Sequence, residues 1–155
     1  MFTELREEIE LSLAQLRQLA GTLRDVRESI KTRDPNETEI MALAAFVHSF
    51  YTGVENLFKR IAIATEGKPP RGELWHVTLL AQMAQATPSR PAVISEDLRK
   101  QLKDYLDFRH VFRHAYVFEL KWSRMAPLVL EMESVLRELE KEIRRFLSAI
   151  GANNT

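Results

Sequence analysis

With 155 residues, 45% of them apolar and 28% charged, the chain is long enough to bury a good core without disulfides or metals, and its make-up is that of an ordinary soluble globular protein. It contains no cysteine, which excludes a disulfide framework, thiolate catalysis and cysteine zinc sites, and fits a reducing compartment. Its 22 basic and 22 acidic residues cancel, which argues against a broad, sequence-independent grip on nucleic acid but not against a small cationic cleft.

The chain reads as helix throughout, one domain over residues 1–155. The start, Met1-Phe2-Thr3-Glu4-Leu5-Arg6-Glu7-Glu8, is acidic and amphipathic, unlike the basic and then apolar opening of a signal peptide. No apolar run approaches the roughly 20 residues that span a bilayer, so the expectation is a cytoplasmic protein with no membrane partner. Phe2, Leu5, Ile9, Leu16, Leu19, Leu23, Val26 and Ile30 keep three-four spacing, with Ser12 in an apolar slot. Asp34-Pro35 is expected to end that helix, because a residue before proline is pushed out of the helical region. Asn36-Glu37-Thr38-Glu39 then has the form of a capping box. The helix it opens carries Ile40, Leu43, Val47, Phe50, Val54, Leu57 and Ile61, and Gly67-Lys68-Pro69-Pro70-Arg71-Gly72 breaks it.

A short third helix is expected over about 73–86, with Leu74, Val77, Leu80 and Met83 as its apolar stripe. Thr87-Pro88-Ser89-Arg90-Pro91 is a loop, and Ser95-Glu96-Asp97 is a good start for a fourth helix bearing Leu98, Leu102, Tyr105 and Phe112. The last helix has the strongest period, through Trp122, Met125, Val129, Met132, Val135, Leu136, Leu139, Ile143, Phe146 and Ile150. A coiled coil would show such a step too, but several comparable helices in one chain point to an all-α, up-and-down bundle of about five helices.

The segment Arg109-His110-Val111-Phe112-Arg113-His114-Ala115-Tyr116 departs from this scaffold pattern. Along the fourth helix the apolar line runs Leu98, Leu102, Tyr105 and then Arg109, so a guanidinium sits where a core residue belongs. It cannot be neutralised, and burying it unpaired costs several kcal/mol. It must therefore meet a carboxylate, lie at a subunit interface or face a cleft that receives an anion. Glu55, on the largely apolar second helix, is the candidate carboxylate and would support the arginine. His114 lies about 140° further round an ideal helix, so the two would point apart unless the helix bends or ends, or a second chain supplies the facing half at a two-fold dimer.

His110 and His114 share a face at a spacing that metal ligands use, but no glutamate follows His110 and there is no cysteine, so no metal site is expected. Histidine can move a proton near neutral pH, and arginine can hold phosphate charge. Together they suit phosphodiester chemistry on RNA, whose 2′-hydroxyl is an internal nucleophile. His48 and His76 read as packing residues.

At these residues the chain resembles the HEPN superfamily of helical nucleases, and within it the HepT-like toxins paired with a small nucleotidyltransferase antitoxin called MntA. The superfamily motif is arginine, a polar residue, three variable residues and histidine, matched by Arg109, His110, Val111-Phe112-Arg113 and His114. The HepT-like extension adds Ala115 and Tyr116. Tyr51-Thr52-Gly53-Val54-Glu55-Asn56 followed by Lys59-Arg60-Ile61 is similar to the second helix of that group. The resemblance implies a homodimer whose two motifs form one cleft, and the toxin of a type VII-like toxin–antitoxin pair. It implies metal-independent, cofactor-free RNA cleavage that leaves a 2′,3′-cyclic phosphate, with Arg109 and His114 catalytic and His110 supporting. Tyr116 is the position that the antitoxin would adenylylate. The alternatives are a non-catalytic HEPN module that binds a nucleotidyltransferase partner or a nucleotide, and a purely structural bundle in which Arg109 is salt-bridged.

Overall fold

Apolar stripes at helical spacing fold together as five α-helices: α1 (Thr3–Ser29), α2 (Glu37–Glu66), α3 (Trp75–Met83), α4 (Glu96–His114) and α5 (Trp122–Ala152), with a 3-10 turn at Val117–Glu119. The computed structural model describes residues 2–30 and 32–152. Among the described residues there is no strand, only an isolated bridge between Thr87 and Arg90. The all-α bundle expected from periodicity is the observed architecture.

Contacts between helices give their directions. Arg6, Arg17 and Arg24 of α1 reach Leu147, Glu140 and Glu133 of α5, so the two run antiparallel. Glu8 faces Arg60 while Leu16 faces Gly53, which sets α2 antiparallel to α1. Ser95 meets Glu142 and Tyr105 meets Leu128, so α4 opposes α5. The chain therefore runs up-down-up-down through α1, α2, α4 and α5, and α3 lies against α2 and α4. At Gly53 the Leu16 side chain of α1 lies directly on the α2 backbone, where a Cβ would stand 2.8 Å from Leu16 Cδ2.

The core sits around α2, where Leu43, Val47, Phe50, Val54, Leu57, Phe58 and Ile61 are fully shielded from solvent. The capping box forms as read: Asn36 Oδ1 accepts from the Glu39 N–H, and Glu39 Oε1 accepts from the Asn36 N–H. Gly67 ends α2 in the left-handed region at φ 84°, and its N–H donates to the Ile63 carbonyl.

Two boundaries differ from expectation. Helix α1 stops at Ser29, ahead of Asp34-Pro35, because the Ile30 N–H is shared between the Val26 and Arg27 carbonyls and the Ser29 hydroxyl also donates to Val26. Helix α3 covers 75–83 rather than 73–86. The Met83 carbonyl accepts from Val93 and Ile94, while the guanidinium of buried Arg90 donates to the Gln82 and Gln85 carbonyls. The acceptors that would extend the helix are thus occupied. The phase of α3 also differs: Leu79, Leu80 and Met83 are buried, but Leu74 and Val77 are exposed.

Removing the Asn36 cap should be measurable without touching the core. Asn36→Ala should lower stability by about 1 kcal/mol, seen as a drop in Tm of about 2–4 °C. Hydrogen bonds from Arg33 and from the Asn36 backbone hold the Glu39 carboxyl down to about 2. A depressed carboxyl contributes above the ordinary carboxylate range, and that contribution fades as pH falls toward about 2. The Tm gap between wild type and Glu39→Gln should therefore narrow in acid.

Candidate functional site

Helix α4 starts where the Ser95 hydroxyl accepts from the Leu98 N–H, with Glu96 and Asp97 in its first turn. Three turns on, its apolar stripe meets α2 and carries Arg109 inward, leaving that residue 2% exposed. Glu55, also buried, receives the guanidinium in a two-pronged pair: Arg109 Nη1 donates to Oε1 at 2.9 Å and Nη2 donates to Oε2 at 2.8 Å. The face of Tyr51, one turn before Glu55 on α2, lies 5.0 Å from the guanidinium carbon. Burial pushes the Tyr51 hydroxyl well above its ordinary value, and the Glu55 charge adds to that.

His76, read as a packing residue, does pack on Trp75 and also completes this cluster. The buried face of α3 follows the positions 76, 79, 80 and 83, which turns His76 toward α2 and α4 while 27% of its side chain stays exposed. Its Nδ1 lies 2.8 Å from Glu55 Oε2 and 2.8 Å from Arg109 Nη2. The ring rests on Trp75 at 3.6 Å between centroids, and the Lys59 ammonium caps the other ring of that stack at 4.4 Å. Burial pushes the Glu55 carboxyl up, but the hydrogen bonds and attraction of Arg109 outweigh it, with His76 adding to them when its Nδ1 carries a proton, and leave the carboxyl below its ordinary range.

His48 does pack, its ring 5.0 Å from that of Phe112. Burial lowers its pKa, and the charges of Arg113 and Arg109 lower it further. The remaining motif residues occupy the exposed tip of α4. His110 and His114 are exposed, with rings 4.6 Å apart, and His114 is the last helical residue. Ala115 is extended, with its N–H on the Val111 carbonyl, and Tyr116 follows outside the helix at 70% exposure, its ring parallel to that of Phe118 at 5.3 Å. Arg113, Lys121 and Arg124 are exposed nearby and form no ion pair among the described residues.

The structure thus joins Arg109 to Glu55 and His76, and joins His110 to His114, but it does not bring the two groups together within one chain. A buried cation held by a carboxylate can position an anion only where an edge of the guanidinium is freed. An exposed histidine pair can carry protons and bind anions directly. Among the described residues no group of three or more histidine, aspartate or glutamate side chains is placed to hold a metal ion. No helix among them is long and apolar enough to cross a membrane.

A protein-family model described as HepT-like protein matches residues 42–150, which takes in α2 from its second turn and everything through α5. No curated protein and no solved structure matches the chain.

The energetics of the buried pair can be separated from its function. Arg109→Met, which strands Glu55, should cost about 3–5 kcal/mol in denaturant melts. Adding Glu55→Leu should restore most of that loss, since a well-packed apolar pair replaces a buried ionic one at little net cost. Glu55 is depressed, so the contribution of the pair is complete above the ordinary carboxylate range and disappears as pH falls below it. The Arg109→Met penalty should shrink over that interval.

Proposed function

The chain belongs to the HepT-like protein family, and on that premise we propose that it is a metal-independent endoribonuclease, the toxin of a toxin–antitoxin pair, whose site is built from two copies of the α4 motif in a homodimer. The observation that carries this reading is the split along one helix. Arg109 is held inside by Glu55, while His110 and His114 stand exposed at the tip of α4. A scaffold helix has no need of two histidines and an arginine at an exposed end. A two-fold axis past that end would set one protomer's His114 opposite the other's motif.

In this mechanism His114 takes the proton of a ribose 2′-hydroxyl, and the resulting oxygen attacks the adjacent phosphorus. The bond to the 5′-oxygen breaks, and that oxygen leaves with a proton from histidine. The products are a 2′,3′-cyclic phosphate and a 5′-hydroxyl end. Arg109 neutralises charge on the phosphoryl oxygens, and His110 supports the anion beside it. Arg113, Lys121 and Arg124 supply local positive charge that the balanced whole chain does not. Tyr116, with its ring exposed two residues beyond His114, can be reached by a nucleotidyltransferase antitoxin. An adenylate there would put bulk and negative charge at the mouth of the cleft and repel RNA.

A second reading is favoured by one observation: both terminal nitrogens of Arg109 already donate to Glu55. On that reading the protein is a non-catalytic module that binds a nucleotidyltransferase or a nucleotide through the exposed tip. The two diverge on RNA. With single-stranded RNA and excess chelator, the nuclease leaves cyclic-phosphate ends, and His114→Ala slows cleavage by about 10²–10⁴-fold. Absence of cleavage, or cleavage indifferent to His114, decides for the module. Tyr116 is tested separately by intact-mass and peptide mass spectrometry after co-expression with the nucleotidyltransferase partner. One added adenylate should lie on Tyr116 and be absent from Tyr116→Phe.

A further inference from the structure

His76 Nδ1 stands 2.8 Å from a donor, Arg109 Nη2, and 2.8 Å from an acceptor, Glu55 Oε2. One nitrogen cannot serve both. Unprotonated, it accepts from Arg109 and opposes its lone pair to the carboxylate; protonated, it donates to Glu55 and opposes its hydrogen to the guanidinium. The cluster therefore has two hydrogen-bonding states that share nearly the same heavy-atom positions, and a proton on Nδ1 selects between them; where Nε2 keeps its own hydrogen, that proton makes the ring a cation able to answer Glu55.

Resting on the nuclease reading, we propose that His76 is a positioning residue that takes over Glu55 when Arg109 turns to a phosphodiester, so that RNA binding takes up a proton at His76. Arg109 and Glu55 are both buried, so freeing an edge of the guanidinium for a phosphate would leave Glu55 short of its counter-charge in a shielded position. His76 touches Glu55 already and is partly open to solvent, so a proton can reach it. Histidine is the side chain whose charge changes near neutral pH. In the exchange an N–H bond forms at His76 Nδ1, with the proton drawn from a buffer acid or hydronium. The Arg109 Nη2 bond to Glu55 Oε2 is replaced by one from His76, and the proton returns to solvent when the product leaves.

The groups that face His76 from the packed elements set the balance. Glu55 from α2 favours the proton, Arg109 from α4 opposes it until its charge is met by phosphate, and Lys59 opposes it from across Trp75. Tyr51 lines the far side of the guanidinium and is held neutral by its raised pKa. A phosphate arriving at Arg109 therefore removes the main opposition to the proton.

The test is calorimetric titration of the dimer with a short single-stranded RNA carrying 2′-deoxy substitutions that prevent cleavage, in two buffers of different ionisation enthalpy across pH 6–8. Wild type should take up close to one proton per occupied Arg109 in excess of His76→Gln, with affinity falling by up to about tenfold per pH unit on the alkaline side. His76→Asn, which also lacks a side chain that titrates near neutrality, should lose the same increment, and the Tm and RNA affinity of both variants, measured beside wild type, guard against a substitution that merely folds poorly. Equal proton uptake in wild type and both variants overturns the proposal. If RNA is bound and cleaved with no His76-linked proton, only this inference falls. If RNA is not bound at all, the nuclease reading falls with it.

Discussion

The buried pair between Arg109 and Glu55 is the constraint from which the rest of the site follows. A guanidinium in a helix-bundle core is tolerable only where a carboxylate meets it squarely, and the two-pronged geometry supplies that. The pairing couples α2 to α4 at a set height, and with the Tyr51 ring 5.0 Å from the guanidinium carbon it forms a polar cluster within an apolar core. Helix α3 is drawn into the same arrangement because its inward face carries His76 to both charged partners. Replacing the pair by apolar residues would make an equally packed helix junction.

From that constraint comes the asymmetry of α4. Its body is pinned by Leu98, Leu102, Tyr105 and Arg109, all buried, whereas in the last turns Phe112 still packs inward while His110 and His114 face solvent, and the helix ends at His114. The same helix therefore holds one chemical group rigid and offers others to solvent. Tyr116 lies past the helix end, where an extended residue releases the chain from helical phase. Its hydroxyl belongs to the accessible half of the motif, not to the buried half.

Overall neutrality acquires a structural meaning as well. Many of the charges answer one another between helices, as in Arg17 with Glu140, Arg24 with Glu133, and Arg144 with Glu10. Such exposed pairs contribute little energy each, about 0–1 kcal/mol, but they align α1 with α5 and remove much of the chain's charge from consideration. The bases around the tip of α4, namely Arg113, Lys121 and Arg124, lie outside that ladder. Burial also reaches residues that pattern alone would place on the surface: Arg27 and Arg90 are both shielded, tied to Glu133 and Glu66.

Local physics made much of this legible from the residues alone. Three-four spacing identifies the long helices, the Asn36–Glu39 box and the Ser95 cap mark two starts, and the phase of Arg109 requires a buried partner that α2 could supply in Glu55. The family motif is legible too, because it is a contiguous string on one helix and the turn beyond it. The short helix is legible only in part: of the expected stripe Leu74, Val77, Leu80 and Met83, the last two are buried and the first two exposed, and His76, read as a packing residue, lies on the buried face. A nine-residue helix offers too few repeats to choose between two apolar registers, and the positions 76, 79, 80 and 83 would have given the other answer. Only the tertiary structure decided that choice, because it depends on which face meets α2 and α4 and on carbonyls claimed by Arg90, Val93 and Ile94 from further along the chain. The sequence by itself determined that the Arg109 charge had to be answered, by a carboxylate, a second subunit or a bound anion; the packing of three helices decided that Glu55 answers it and that the pair has a third member.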